Sequence, residues 1–226
     1  NTPSAATGLW QPSGVAVDRA GNLYVADTGN HRVVRYPRPF DSRVQAPDLV
    51  VGQSHLTARD RNQGQGETSE SSLSAPMAVA VSPRGDLVVA DTGNHRVVVF
   101  AAGSLVSHGP PAAALLGPPE ALLSSPAGLA FDAAGRLWVA SPGSNRVLQF
   151  PTPATGTAPI RSLGGNGDSA RRGPNTLLRP TGLAVLGDDL VVADSGNHRL
   201  LRYSGLARSL ETRPVADTVF GQPDFT

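Results

Sequence analysis

Apolar residues in this chain come in short runs, four to a set, and the set recurs four times. The first set opens with Pro12–Asp18, continues through Leu23–Ala26 and Val33–Tyr36, and closes with Leu49–Gly52. The second follows the same order with Pro76–Ser82, Leu87–Ala90, Val97–Phe100 and Ala114–Gly117. The third runs Pro126–Asp132, Leu137–Ala140, Val147–Phe150 and Ile160–Leu163, and the fourth Pro180–Leu186, Leu190–Ala193, Leu200–Tyr203 and Thr218–Gly221. The runs are short, rich in β-branched residues and bounded by Gly, Pro, Asn and Asp, which is the pattern of strands. No stretch longer than a turn carries helical periodicity, so the pattern predicts an all-β chain.

The links between runs specify the turns. Asp18-Arg-Ala-Gly21, Ser82-Pro-Arg-Gly85 and Asp132-Ala-Ala-Gly135 place Gly fourth, where a bulged hairpin needs positive φ. The fourth set has a shorter link centred on Gly187-Asp188, as a two-residue hairpin requires. Between the second and third runs lies the most nearly identical segment of the chain. It reads Ala26-Asp-Thr-Gly-Asn-His-Arg32, Ala90-Asp-Thr-Gly-Asn-His-Arg96 and Ala193-Asp-Ser-Gly-Asn-His-Arg199, with a diverged copy, Ala140-Ser-Pro-Gly-Ser-Asn-Arg146. Asp27, Asp91 and Asp194 are expected to accept the backbone N–H groups of the turn they open, and Ser141 to do so more weakly.

A four-stranded meander has two faces to bury and no partner of its own. Such units stack radially as blades of a β-propeller; solenoids use smaller units. The first residue of the motif recurs after 64, 50 and 53 residues, enough for four strands of about five residues with loops. The strand, Asp-x-x-Asn-His-Arg, strand pattern resembles the NHL-repeat family, and the resemblance runs from residue 8 to residue 226. It implies an all-β propeller of four four-stranded antiparallel blades, at about 9–57, 73–118, 123–165 and 177–226, within one domain. Two arrangements satisfy four blades: a closed four-bladed ring, which the small Ala16, Ala80, Ala130 and Ala184 of the innermost strands favour, or four blades of a larger, for example six-bladed, propeller.

Composition removes several chemistries. With no cysteine there is no disulfide or zinc–thiolate site, and with no lysine there is no Schiff base. A net charge of +1 gives no strong field toward nucleic acid or membrane. No apolar run approaches the length of a membrane span. Arginine as the sole basic residue type, beside abundant Ala, Gly and Pro, suggests a GC-rich bacterial source and an extracellular or cell-envelope setting. Starting at Asn1, the chain reads as a processed product or a piece of a longer one.

His31, His95 and His198 suggest a three-histidine metal site at first sight. Each nevertheless belongs to the turn of its own blade, and Asn145 in the diverged copy suits a hydrogen-bonding role. Arg32, Arg96, Arg146 and Arg199 read as structural forks onto carbonyls or the Asp of the same turn. The resemblance directs attention instead to the loops entering the innermost strands. Amidating lyases similar to this family place metal-binding histidine between the Pro and Gly there, but this chain has Ser13, Met77, Ala127 and Thr181. Gluconolactonase-like propellers use acidic and amide ligands around the axis, whereas Gln11, Ala75, Ser125 and Arg179, none of them a carboxylate, precede the prolines here. No cofactor and no catalytic residue is therefore expected.

RNA binding would need clustered arginines interleaved with exposed aromatics. The dense basic stretch is Arg171-Arg172 with Arg161 and Arg179, while Trp10, Trp138, Tyr24 and Phe131 read as core. The polar loop from Ser54 to Ala75 reads as a solvated insertion, or alternatively as a partner-binding loop. Together these readings predict a non-catalytic scaffold that binds a protein or cell-envelope ligand through axial loops. Ser13, Met77, Thr181 and Arg179 are its candidate ligand-binding residues. A lyase- or hydrolase-type propeller and a single-stranded RNA binder are the alternatives, and the chain is expected to be a monomer or to self-assemble through blade edges.

Overall fold

The computed structural model describes residues 8–41, 46–117, 122–152, 158–165, 173–206, 208–209, 211 and 214–225. Among these residues the strands form four antiparallel sheets of four, each a simple meander in chain order. The first blade holds β1 (Pro12–Val17), β2 (Leu23–Asp27), β3 (Arg32–Tyr36) and β4 (Leu49–Val51). The second holds β5 (Ala78–Val81), β6 (Leu87–Asp91), β7 (Arg96–Phe100) and β8 (Ala114–Leu116). The third holds β9 (Gly128–Phe131), β10 (Leu137–Ser141), β11 (Arg146–Phe150) and β12 (Arg161–Gly164). The fourth holds β13 (Pro180–Leu186), β14 (Asp189–Asp194), β15 (Arg199–Tyr203) and β16 (Thr218–Phe220). The fold is an all-β propeller of four-stranded antiparallel blades.

Two compact units divide the chain, residues 1–115 and 116–226. In the first unit Val25 pairs with Val34 and Val34 with Val50, so alternation places Tyr24, Ala26, Val33 and Val51 on the opposite face of the blade. That face meets Val79, Leu87, Val89, Val98 and Phe100 of the second blade in one apolar core. The second unit repeats the arrangement: Trp138, Ala140, Val147 and Leu163 pack on Leu190, Val192, Leu201 and Tyr203. Burying each such side chain contributes about 1.5–3 kcal/mol. Neither blade of a unit could bury these faces alone.

Gly21, Gly85 and Gly135 adopt φ of +85°, +91° and +76°, as the fourth position of the hairpin links demands. Gly187 in the shorter fourth link has φ +61°. Among the described residues no helix is long and apolar enough to cross a membrane.

Two expectations need correction. The Ser54–Ala75 segment is not simply a solvated insertion. Residues 64–68 and much of the rest are exposed. Leu73 and Ser72, however, are fully buried, Asn62 exchanges side-chain hydrogen bonds with Asn94, and Ser69 and Ser72 present their carbonyls to Arg96. Part of its polarity serves internal bonding and the rest faces solvent. Trp10 is not core either: it is 47 % exposed, whereas Tyr24 and Trp138 are buried as expected. Trp10 lies over Gly29, where it covers a turn instead of filling the space between sheets.

Candidate functional site

The repeated motif forms one 3-10 turn per blade, at Thr28–Asn30, Thr92–Asn94, Pro142–Ser144 and Ser195–Asn197. The next residue is left-handed in every copy: His31 at φ +53°, His95 at +55°, Asn145 at +54° and His198 at +56°. Histidine and asparagine are among the few side chains enriched in that region, so the backbone accounts for this choice of residues, including the change to Asn in the third blade.

The motif carboxylates do not cap their own turns, contrary to expectation. They reach back to the segment that leads into the blade. Asp91 accepts the Ser74 N–H at 2.7 Å, Asn94 Nδ2 at 2.7 Å and Arg96 Nε at 2.8 Å. Asp27 does the same with Trp10 N–H, Asn30 and Arg32, and Asp194 with Leu178 N–H, Asn197 and Arg199. The motif glycine completes the clamp by donating its N–H to the carbonyl of the same incoming residue: Gly29 to Trp10, Gly93 to Ser74, Gly143 to Ser124 and Gly196 to Leu178. A Cβ on Gly93 would stand 2.7 Å from the Ser74 carbonyl oxygen, so the close approach itself excludes a side chain. Burial pushes the Asp91 carboxyl above its usual range, against the opposing pull of the Ser74 N–H, Asn94 and Arg96.

The left-handed residue links neighbouring blades inside each unit. In the first, Ala75 donates its N–H to His31 Nδ1 at 2.9 Å. In the second, Arg179 donates its N–H to Asn145 Oδ1 at 2.8 Å. Accepting through Nδ1 requires a neutral imidazole, and burial followed by the nearby Arg61 holds the His31 pKa below its ordinary value. Asn145 therefore fills the hydrogen-bonding role expected of it. Among the described residues no three His, Asp or Glu side chains gather into a metal-binding group.

In the first unit Ser13 and Met77 come together: Ser13 Oγ lies 2.6 Å from Thr28 Oγ1 and 2.8 Å from the Met77 carbonyl, while the Met77 residue is 40 % exposed. In the second unit Thr181 Oγ1 lies 2.5 Å from Ser195 Oγ, and Arg179 is exposed at φ +49°. The same left-handed backbone recurs at Gln11, Ala75 and Ser125, so the conformation of Arg179 belongs to the repeat. Of the basic stretch, Arg171 and Arg172 lie outside the described residues. Arg161 is engaged structurally, donating to the Leu206 carbonyl at 2.9 Å and standing 6.0 Å from the Trp138 ring centroid.

A cleft of about 350 Å³ opens in the first unit between the β1–β2 and β5–β6 turns. Its lining includes Arg19, Tyr24, Arg35, Pro83, Arg84 and Leu105. Arg35 is fixed there, with two 2.9 Å bonds to the Asp48 carboxylate and one of 3.0 Å to the Leu105 carbonyl. The Asp48 bond holds the Arg35 pKa above its ordinary value, and burial raises that of the Tyr24 hydroxyl. Sequence reasoning passed over this cleft because its arginines sit in turns read only for their glycines. The available signal was divergence: the same turns carry Ala133-Ala134 in the third blade and Gly187-Asp188 in the fourth.

A family model described as NHL repeat matches residues 9–36, 73–100 and 177–203, three of the four blades. No curated protein sequence matches the chain. Among solved structures, a streptogramin B lyase aligns with a TM-score of 0.61 at 13% identity, over 94% of this chain and 55% of that one. Virginiamycin B lyase from Staphylococcus aureus, crystallised with quinupristin, aligns at 0.59 and 15% over 95% and 57%. Kuenenia stuttgartiensis hydrazine synthase aligns at 0.58 and 17% over 92% and 50%. The chain spans little more than half the length of these proteins. At such identities the likeness is one of fold. Three matched repeats, four four-stranded blades and the Asp–Asn–Arg clamp of the three matched blades agree: the chain is a β-propeller that carries NHL repeats.

Proposed function

We propose that this NHL-repeat chain is a non-catalytic binding scaffold. One observation carries the reading. The titratable side chains that looked most like a reaction centre are committed to holding the blades: the motif carboxylates bind incoming N–H groups and their own Arg, and His31 accepts an amide. What the loops leave available is a set of contact groups whose hydroxyls bond to other hydroxyls or a carbonyl and not to a general base: Ser13 and Met77 in the first unit, Arg179 and Thr181 in the second. The ligand on this reading is a protein or cell-envelope component.

Its test is a paired measurement. Met77→Glu and Arg179→Glu proteins are expected to melt like the parent and to lose partners that the parent captures from an envelope extract. Unchanged capture by both variants would remove these residues from the reading. Because the similar folds include a streptogramin B lyase, the parent is also assayed for turnover of quinupristin; turnover would replace the scaffold reading with an enzymatic one.

A further inference from the structure

We propose that the cleft between the β1–β2 and β5–β6 turns of the first unit binds a small organic anion, a carboxylate or phosphate ester, between Arg19 and Arg84. The reading starts from charge. Three acids lie at or beside the cleft, and each is already occupied. Asp18 accepts the Ala20 and Asn22 N–H groups at 2.9 Å and Asn22 Nδ2 at 2.8 Å. Asp48 takes the fork of Arg35. Asp86 accepts from Ser82 Oγ and from the Ala102 N–H, each at 3.2 Å. Arg19 and Arg84 are exposed lining residues whose guanidinium groups none of these acids engages. Asp18 and Asp86 keep their charge but are turned to neutral donors, which leaves two exposed guanidinium groups without an ion pair among the described residues, on turns that line one cleft. A carboxylate or phosphate is the group that each can grip bidentately.

Beneath them the site is built rather than incidental. Arg35 is locked by Asp48 and the Leu105 carbonyl, and beside it the Tyr24 hydroxyl donates to Asp18 Oδ2 at 3.4 Å, so both groups on the floor are held by the protein. Pro83 and Leu105 supply apolar wall for the body of the ligand. A volume of about 350 Å³ suits a molecule of metabolite size and is too small for a folded partner.

Comparison with the second unit separates duty to the fold from duty to a ligand. The bond from Arg35 to the Leu105 carbonyl has a counterpart there in Arg161, which donates to the Leu206 carbonyl. A structural need is met in both units, though from different strands. Arg19 and Arg84 have no counterpart: Ala133-Ala134 and Gly187-Asp188 occupy those turns, and Asp188 pairs with Arg208. Residues that the fold does not demand and that converge on a cavity are where ligand chemistry is expected.

The inference is independent of the loop residues assigned to the scaffold, so its failure leaves that reading intact. The test is calorimetric titration of the intact chain with citrate, with glycerol 3-phosphate and with glycerol, at low and at 300 mM salt. At least one anion is expected to bind saturably at one site, more weakly at high salt as Debye screening requires, and glycerol not at all. Arg19→Gln/Arg84→Gln should weaken binding at least tenfold without lowering Tm. Arg59→Gln/Arg208→Gln, which removes as much charge outside the cleft, should leave it unchanged. Absence of saturable binding by both anions, or equal weakening by the two double variants, would overturn the assignment.

Discussion

In the second blade Asp91 is fully buried and holds three partners, the Ser74 N–H, Asn94 and Arg96. In the third, Ser141 stands at the same place and is equally buried. Its hydroxyl accepts the Ser124 N–H at 2.8 Å and meets Ser144 Oγ at 2.8 Å, but it gives nothing to the arginine. Arg146 turns away to Ser162 Oγ and the Gly165 carbonyl. Both blades keep the bond to the incoming chain and the glycine bond beside it; only one keeps the ion pair. The part of the motif that the fold requires is thus the anchor on the incoming strand. The arginine is a fork that follows whatever acceptors are near.

The widest separation between the two blades should come from truncating those anchors. Asp91→Ala strips the carboxylate from a buried guanidinium and is expected to cost about 3–5 kcal/mol, as loss of one partner of a buried pair does. Ser141→Ala removes neutral hydrogen bonds and is expected to cost about 1 kcal/mol. Urea denaturation of both variants measures the contrast, and equal losses would show that the ion pair adds nothing to the anchor. Next in size is Gly93→Ala, which forces a methyl against the Ser74 carbonyl and should cost about 1–3 kcal/mol through overpacking. Gly143→Ala meets the Ser124 carbonyl and hydroxyl in the same way. The two glycine variants should therefore lose similar amounts even though their neighbouring anchors differ.

The smallest effect concerns the latch. His31→Asn copies the third blade's residue and should change stability at pH 7 by less than about 0.5 kcal/mol. Its signature lies in pH. The folded pKa of His31 is below the ordinary value of 6.5, so as pH falls the unfolded chain takes up the proton first. Stability from the Ala75-to-His31 bond is complete above 6.5 and is lost as pH falls through the folded pKa. The parent should lose stability on acidification more steeply than His31→Asn, as melting curves between pH 7 and pH 4.5 would register. Parallel curves would mean that the bond contributes nothing that protonation removes.

Much of this was legible in the residues. The four-run period, the positive-φ glycines and the recurring turn specify strands, hairpins and blades, because strand alternation and turn sterics act over a few neighbours. Asn145 in place of histidine already pointed to hydrogen bonding over metal binding. The readings that failed depended on distant partners. Asp27, Asp91 and Asp194 look like local caps, yet their acceptors serve an amide 16 or 17 residues upstream, in the segment entering the same blade. The loop around Asn62 looks solvated because it is polar, yet its amides pair with Asn94 in the next blade.

The sequence by itself determined the all-β class, the blade as the repeating unit and the NHL motif, since period and turn chemistry are local. The tertiary structure decided where each repeated polar group finds its partner, and it brought Arg19 and Arg84 to one cleft. Residues 65 positions apart meet there because neighbouring blades stack, and no pattern along the chain records which turns will face each other.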